Sequence, residues 1–173
     1  MTQEKTLIIF KPDAVQRGIV GEILSRFEKA GLKIVGTKML KPDYNQFFHH
    51  YENIGKVISR RGQKVFDITL DMMASGPVIA MVLEGVEAVS LVRKMVGTTE
   101  PKSALPGTVR GDYSHMSFGY ADKEEVGIPN LIHASGDSEE AKAEVAHWFS
   151  ESELFEYETV HEKFTQTKKH HKK

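Results

Sequence analysis

The 173-residue sequence contains no cysteine, which excludes disulfides, thiol nucleophiles and thiolate metal sites. It also lacks a charge excess of either sign. A formal net charge of -1 argues against a general nucleic-acid or membrane coat, and neither partner is expected. Long apolar runs are missing as well: the N-terminal run at 7–10 is far too short for a signal region or a membrane span, and no later run is long enough to span a membrane. A soluble, cytoplasmic protein is the expectation. The histidines show no HExxH or comparable ligand spacing, so no protein-ligated metal site is read from them. No internal repeat or linker is visible. The length gives room for one domain with a real core, expected over 1–160, with 161–173 as a mobile basic tail.

What is present is an alternation of apolar strand runs and amphipathic helices. TLIIF at 6–10 reads as a buried strand, stopped by Lys11-Pro12-Asp13. A helix is predicted over 21–30 from Ile23, Leu24 and Phe27, and a strand over 33–40 in which Gly36 marks a bulge. Asp43 opens a helix through Phe47, Phe48 and Tyr51, interrupted by Gly55 and by the basic stretch 59–62, before helical spacing returns over 65–73. The continuous apolar run at 78–83 predicts a central strand buried on both faces, and a helix follows to Val96. From 97 to 127 no helix period can be found, and a loop of that length in a compact domain is usually functional or disordered.

Residues 130–132 then form a short predicted strand running into a helix start, with His133 at the hinge. Asp137 and Glu140 have capping-box spacing. A helix N-terminus favours phosphate, and an imidazole beside it could accept a phosphoryl group covalently. The succession of four strands and their helices fits an α+β fold, a ferredoxin-like split βαβ sandwich: one four-stranded antiparallel sheet with helices packed across a face. A flavodoxin-like doubly wound sheet is the lesser alternative.

Three groups of residues, in this order, resemble the nucleoside diphosphate kinase family: Lys11-Pro12-Asp13 with Gln16-Arg17-Gly18; Pro106-Gly107-Thr108-Val109-Arg110-Gly111-Asp112; and Asn130-Leu131-Ile132-His133-Ala134-Ser135. The resemblance runs over residues 5–157. It implies a ping-pong transfer of the terminal phosphoryl group from a nucleoside triphosphate to a nucleoside diphosphate, through a phosphohistidine on His133 and with broad base specificity. Lys11 would neutralise the transferring group, the electrostatic stabilisation on which phosphoryl transfer mainly depends. Arg93, Thr99 and Arg110 match the family's phosphate contacts, for which the planar guanidinium fork is suited. Asn130 matches a sugar-contacting position and Tyr51 a residue packed near the lysine and histidine. Glu144 would bond one ring nitrogen of His133, supported by Ser135. Mg2+ would ride on the nucleotide phosphates, with Asp137 reaching it at most through water, and the assembly would be a homo-oligomer.

The sequence departs from the family pattern in three places. The segment between Tyr51 and Ser75 is longer, so counting does not place the base-stacking residue; Phe66 is the expected one, with Val65 the neighbouring alternative. An extension occupies 113–129, and Gly136 separates Ser135 from Asp137. Two other functions compete: a nucleotide-binding regulatory relative with little catalysis, and a nucleic-acid module using Arg60, Arg61, Lys64 and the tail.

Overall fold

The computed structural model describes residues 3–165. Its sheet is antiparallel throughout, in the order β2-β3-β1-β4, with β1 at Gln3–Phe10, β2 at Lys33–Leu40, β3 at Val78–Val86 and β4 at Ile132–Ala134. This is the ferredoxin-like α+β arrangement. The apolar runs of β1 and β3 occupy its two middle places because both of their faces must leave water. Leu7, Ile8, Ile9 and Phe10 are all fully buried, whereas the alternating exposure of the second half of β2 suits an edge. Gly36 does mark an irregularity: the β2–β3 register shifts between Ile34 and Gly36.

Helices cover both faces of the sheet, not one as the sequence suggested, and two cores result. One face carries α2 (Val20–Lys29), α6 (Ala88–Val96) and α7 (Val109–Tyr113), packed on Ile8, Phe10, Met81 and Leu83. The other carries α3 (Tyr44–Phe48), α5 (Gln63–Ala74) and α9 (Ser138–Trp148), packed on Leu7, Ile9, Ala80 and Val82. The period-2 alternation of β1 and β3 sends successive side chains into different cores. Between β1 and α2 lies a short helix, α1 (Pro12–Gln16), with proline in its first turn.

Several boundaries differ from the sequence reading. The helix capped by Asp43 continues as a π-helical turn over His49–Ile54, and the basic stretch expected to interrupt it is itself helical, α4 at Val57–Arg61. The region 97–127 contains a 3-10 turn at Pro101–Ser103, then α7 and α8 (Phe118–Lys123). These pieces are too short to display a helical period. The last strand is Ile132–Ala134, so His133 sits within it and not at its end. At the C-terminus α10 (Glu162–Thr165) returns to the body, where Glu162 pairs with Lys33 at 2.9 Å. The remainder of the expected basic tail, 166–173, lies outside the described residues.

Candidate active site

β4 pairs with β1 so that His133 stands opposite Ile9. Paired residues in an antiparallel ladder share a face, so the imidazole projects toward α9 and the π-helical turn. On α9 the buried positions are Ala141, Glu144, Val145 and Trp148, a helical stripe in which Glu144 is the one carboxylate, 1% exposed. Its Oε1 lies 2.8 Å from His133 Nε2, and its Oε2 accepts from Ser135 Oγ at 2.6 Å. The approach to Nε2 is off the ring's N–H direction, which makes the contact coulombic first and a hydrogen bond second. Burial pushes the Glu144 carboxyl up, but the two imidazoles and the Ser135 hydroxyl outweigh it and hold it at about 2. Ser135 is fully buried, accepts from the Leu7 amide at 3.1 Å, and so anchors the carboxylate to β1.

A residue missed in the sequence completes this support. His50, 1% exposed, sets its ring edge-on to His133 with centroids 4.5 Å apart, and its Nδ1 accepts from Trp148 Nε1 at 3.2 Å. Burial, then the neighbouring His133, depress its basicity well below the usual histidine value, so it is a neutral ring. No spacing rule could have found it, because it lies beside Tyr51 in the irregular π-helical turn. His50, His133 and Glu144 bring ligand atoms within 4.8 Å of one another. Trp148 donates to His50 and Ser135 to Glu144, so the cluster is tied into a hydrogen-bonded buttress behind His133.

Lys11 is the first residue after β1 and is 7% exposed. Its amide donates to Leu131 O at 2.9 Å and its Nζ to Asn130 Oδ1 at 2.7 Å, while Asn130 Nδ2 donates to Thr99 O at 2.8 Å. One side-chain relay therefore joins the end of β1, the run-in to β4 and the loop after α6. Asp13, a second missed residue within a motif otherwise recognised, accepts from the Leu131 amide at 3.0 Å. That bond and the Lys11 contact hold Leu131 in a left-handed conformation, φ 73°, which leucine adopts only where its surroundings impose it. Burial first, and then the neighbouring Arg110, lower the Lys11 pKa to about 8 against the opposing pull of Asp13. Arg110 is 8% exposed and donates to the carbonyls of Asn130, Gly97 and Ile132 at 3.2, 3.0 and 2.6 Å. Its pKa is brought down to about 10, by burial first and then by Arg93. Gly97 ends α6 at φ 87°, and a Cβ there would lie 2.6 Å from Thr108 Oγ1, so glycine is what lets this carbonyl reach the guanidinium.

These groups line one cleft of about 1050 Å3, at whose lining Lys11, Arg93, Thr99, Arg110, Asn130 and His133 come together with Tyr51 and Glu144. Ser135 stands behind them. The Tyr51 hydroxyl is buried and has no hydrogen-bond partner among the described residues, a donor available to an anionic ligand. Phe66 is not brought to the cleft. It is fully buried against Phe48, in the core beneath α5, while its neighbour Val65 faces the cleft. One residue along a helix turns a side chain by about 100°, so Val65 and Phe66 cannot both face it. The start of α9 also differs from expectation. Asp137 caps the amides of Glu139 and Glu140 at 3.0 and 2.8 Å, and Glu140 reaches past Asp137 to the Gly136 amide. Two carboxylates thus occupy the donors that the sequence reading left for phosphate. Arg60, Arg61 and Lys64 line the cleft as well.

A sequence model described as nucleoside diphosphate kinase matches residues 4–154. A nucleoside diphosphate kinase of Pyrococcus horikoshii is 49% identical over 89% of this chain and 90% of its own. One of Borreliella burgdorferi is 42% identical over 91% of this chain and 93% of its own. A solved transition-state mimic of the Borrelia burgdorferi enzyme with bound vanadate and ADP superposes with a TM-score of 0.91 at 40% identity, over 94% and 96% of the two chains. A halophilic nucleoside diphosphate kinase from Halobacterium salinarum in complex with CDP gives 0.80 at 34% identity, over 96% and 100%.

Proposed function

The chain belongs to the nucleoside diphosphate kinase family, phosphotransferases that move a phosphoryl group between nucleotides, and from that premise we propose that it does so through a phosphohistidine on His133. The observation that carries the reading is the convergence of Lys11, Arg110, Asn130 and His133 on one cleft, with Glu144 directly behind the imidazole. The carboxylate favours the proton on Nε2, which leaves the Nδ1 lone pair as the nucleophile. Nδ1 attacks the terminal phosphorus of a nucleoside triphosphate, the bond to the bridging oxygen breaks, and the diphosphate leaves. A second diphosphate then takes the phosphoryl group by the reverse path. Lys11 and the two arginines neutralise charge as it moves between oxygens, Tyr51 donates its free hydroxyl on the same side, and Asn130, with Thr99, holds the sugar-phosphate end.

Magnesium fits this donor set as a passenger of the nucleotide. The phosphate end is lined by cations, and the carboxylates at its edge, Asp137 and Glu140, are spent on helix amides, so the ion would be held by phosphate oxygens and water. It supplies charge neutralisation there. Base discrimination is broad, because the polar contacts gather around the phosphates and sugar. The reading further includes one domain over 1–160, a homo-oligomeric assembly and a cytoplasmic location; among the described residues no helix is long and apolar enough to cross a membrane.

The test is to incubate the protein with γ-labelled ATP and Mg2+, and to look for an acid-labile, base-stable label that added GDP or UDP discharges. His133→Ala should form none. A His133→Ala protein that still takes the label and turns over normally would refute the mechanism.

A further inference from the structure

The extension 113–129 carries α8 across the cleft toward α4 and α5, and it is fixed there from both ends. At its start the Phe118 amide donates to Glu100 Oε1 at 2.8 Å, and the Met116 carbonyl accepts from the Lys102 amide at 2.9 Å. Glu100 follows Thr99 directly, so the extension is tied to the loop that meets Asn130. At its far end Lys64 Nζ reaches Glu125 at 2.5 Å, and Ser114 Oγ closes the base of the segment on Pro129 O at 2.9 Å. Gly127 packs so closely on α5 that a Cβ would lie 2.7 Å from Met72 Cβ. With backbone and side-chain ties at both ends, the extension is a wall and not a loose lid.

What this wall presents to the cleft is an aromatic ring. Of the side chains lining the cleft, the described phenyl and phenol rings are those of Phe118 and Tyr51. Tyr51 stands edge-on to His50 at 4.7 Å and so belongs to the end where His133 lies. The facing wall on α5 is aliphatic, through Val65, Ile68 and Met72, since Phe66 is turned into the core. Phe118 stays partly exposed, and the Arg61 guanidinium carbon sits over its ring, 5.3 Å from the centroid. A planar group thus already finds the ring accessible from within the cleft.

We propose that Phe118, supplied by the extension, is the residue that stacks on the nucleobase, opposite the aliphatic wall of α5. The proposal rests on the reading of this cleft as the nucleotide site. Every base offers a π-face, so such a contact adds affinity without demanding one base, and it favours the larger purine rings over pyrimidines.

The experiment compares wild type, Phe118→Ala and Phe118→Trp by kcat/KM with ATP, GTP and UTP as donors, and with ribose 5-triphosphate, which has no base. For Phe118→Ala we expect a loss of about tenfold with the purine donors, about threefold with UTP on the smaller ring, and less than about twofold with the base-free donor. Phe118→Trp should keep the purine values. The base-free donor reports whether the alanine protein is folded and its phosphate end intact. Equal losses with and without a base, or no loss with ATP and GTP, would overturn the assignment. Wild type that moves no phosphate from ATP to GDP would instead overturn the enzymatic reading and this one with it.

Discussion

Glu144→Gln keeps the shape of the side chain behind His133 and removes its charge. The carboxylate is 1% exposed, and its pKa is held down to about 2 from the ordinary 4.5 of a glutamate. At about 1.4 kcal/mol per pKa unit this is a net preference for the ionised form of roughly 3 kcal/mol, even after the penalty of burial. As Nδ1 bonds to phosphorus the ring becomes more positive. At an effective dielectric of about 20, half a unit charge next to the carboxylate is worth roughly 2–3 kcal/mol. The glutamine carbonyl dipole retains part of this, so the expected loss is about 2 kcal/mol, a slowing of roughly 30-fold. Rapid-quench measurement of label transfer from γ-labelled ATP in a single turnover reads that step, and calorimetry with ADP reads binding, which should hardly change. The same pKa fixes a stability signature. A depressed carboxyl stabilises the fold above about 4.5 and loses that contribution as pH falls toward about 2. The gap in unfolding free energy between wild type and Glu144→Gln should therefore be larger at pH 6 than at pH 3. A phosphorylation rate within twofold of wild type would refute the reasoning.

Lys11 should set the alkaline limb of kcat/KM near pH 8, and Lys11→Arg, which stays charged, should remove that limb; a limb that persists in the arginine protein belongs to another group. Because the native lysine releases its proton at about 8 and the unfolded one at 10.5, stability should rise between those values in urea titrations. Ser135→Ala leaves the Glu144 oxygen and the Leu7 amide without their buried partner, and should lower unfolding free energy by about 1–3 kcal/mol, measured by denaturant titration. Phe66→Ala should cost about 3–5 kcal/mol of stability with no change in KM specific to base-bearing nucleotides, whereas Val65→Ala should raise that KM at little cost in stability. The reverse pattern would return Phe66 to the cleft.

The strands were legible because burial on both faces leaves an unbroken apolar run, and the run at 78–83 or at 6–10 admits little else. Helices of ten residues showed their period, but α7 and α8 are shorter than two turns and carry none. The end of β4 was misjudged by two residues because Leu131 takes a left-handed conformation, a choice made by Asp13 and Lys11 far away in the chain. Glu144 could be suspected from its place in the stripe of Ala141, Val145 and Trp148. His50 could not, since its role arises only where the π-helical turn meets α9. Phe66 could not be told from Val65 in the sequence for a related reason: positions cannot be counted through a π-helical turn, a left-handed Lys56 and a positive-φ Gly62. Nothing in the composition of the extension distinguished Phe118 from the other residues of what read as loop.

Among the described residues, the last strand in the chain pairs with the first. Lys11 and Asn130 are separated by 119 residues, yet a single hydrogen bond joins them. While a ribosome is still adding residues beyond 120, β1, β2 and β3 can associate and bury much of two cores, but the chain lacks His133 and the Glu144 carboxylate behind it. Competence for chemistry therefore appears at the end of folding, with the longest loop closure. A chain not yet extended to residue 133 holds the cations of the cleft without the nucleophile, and so cannot form the phosphohistidine.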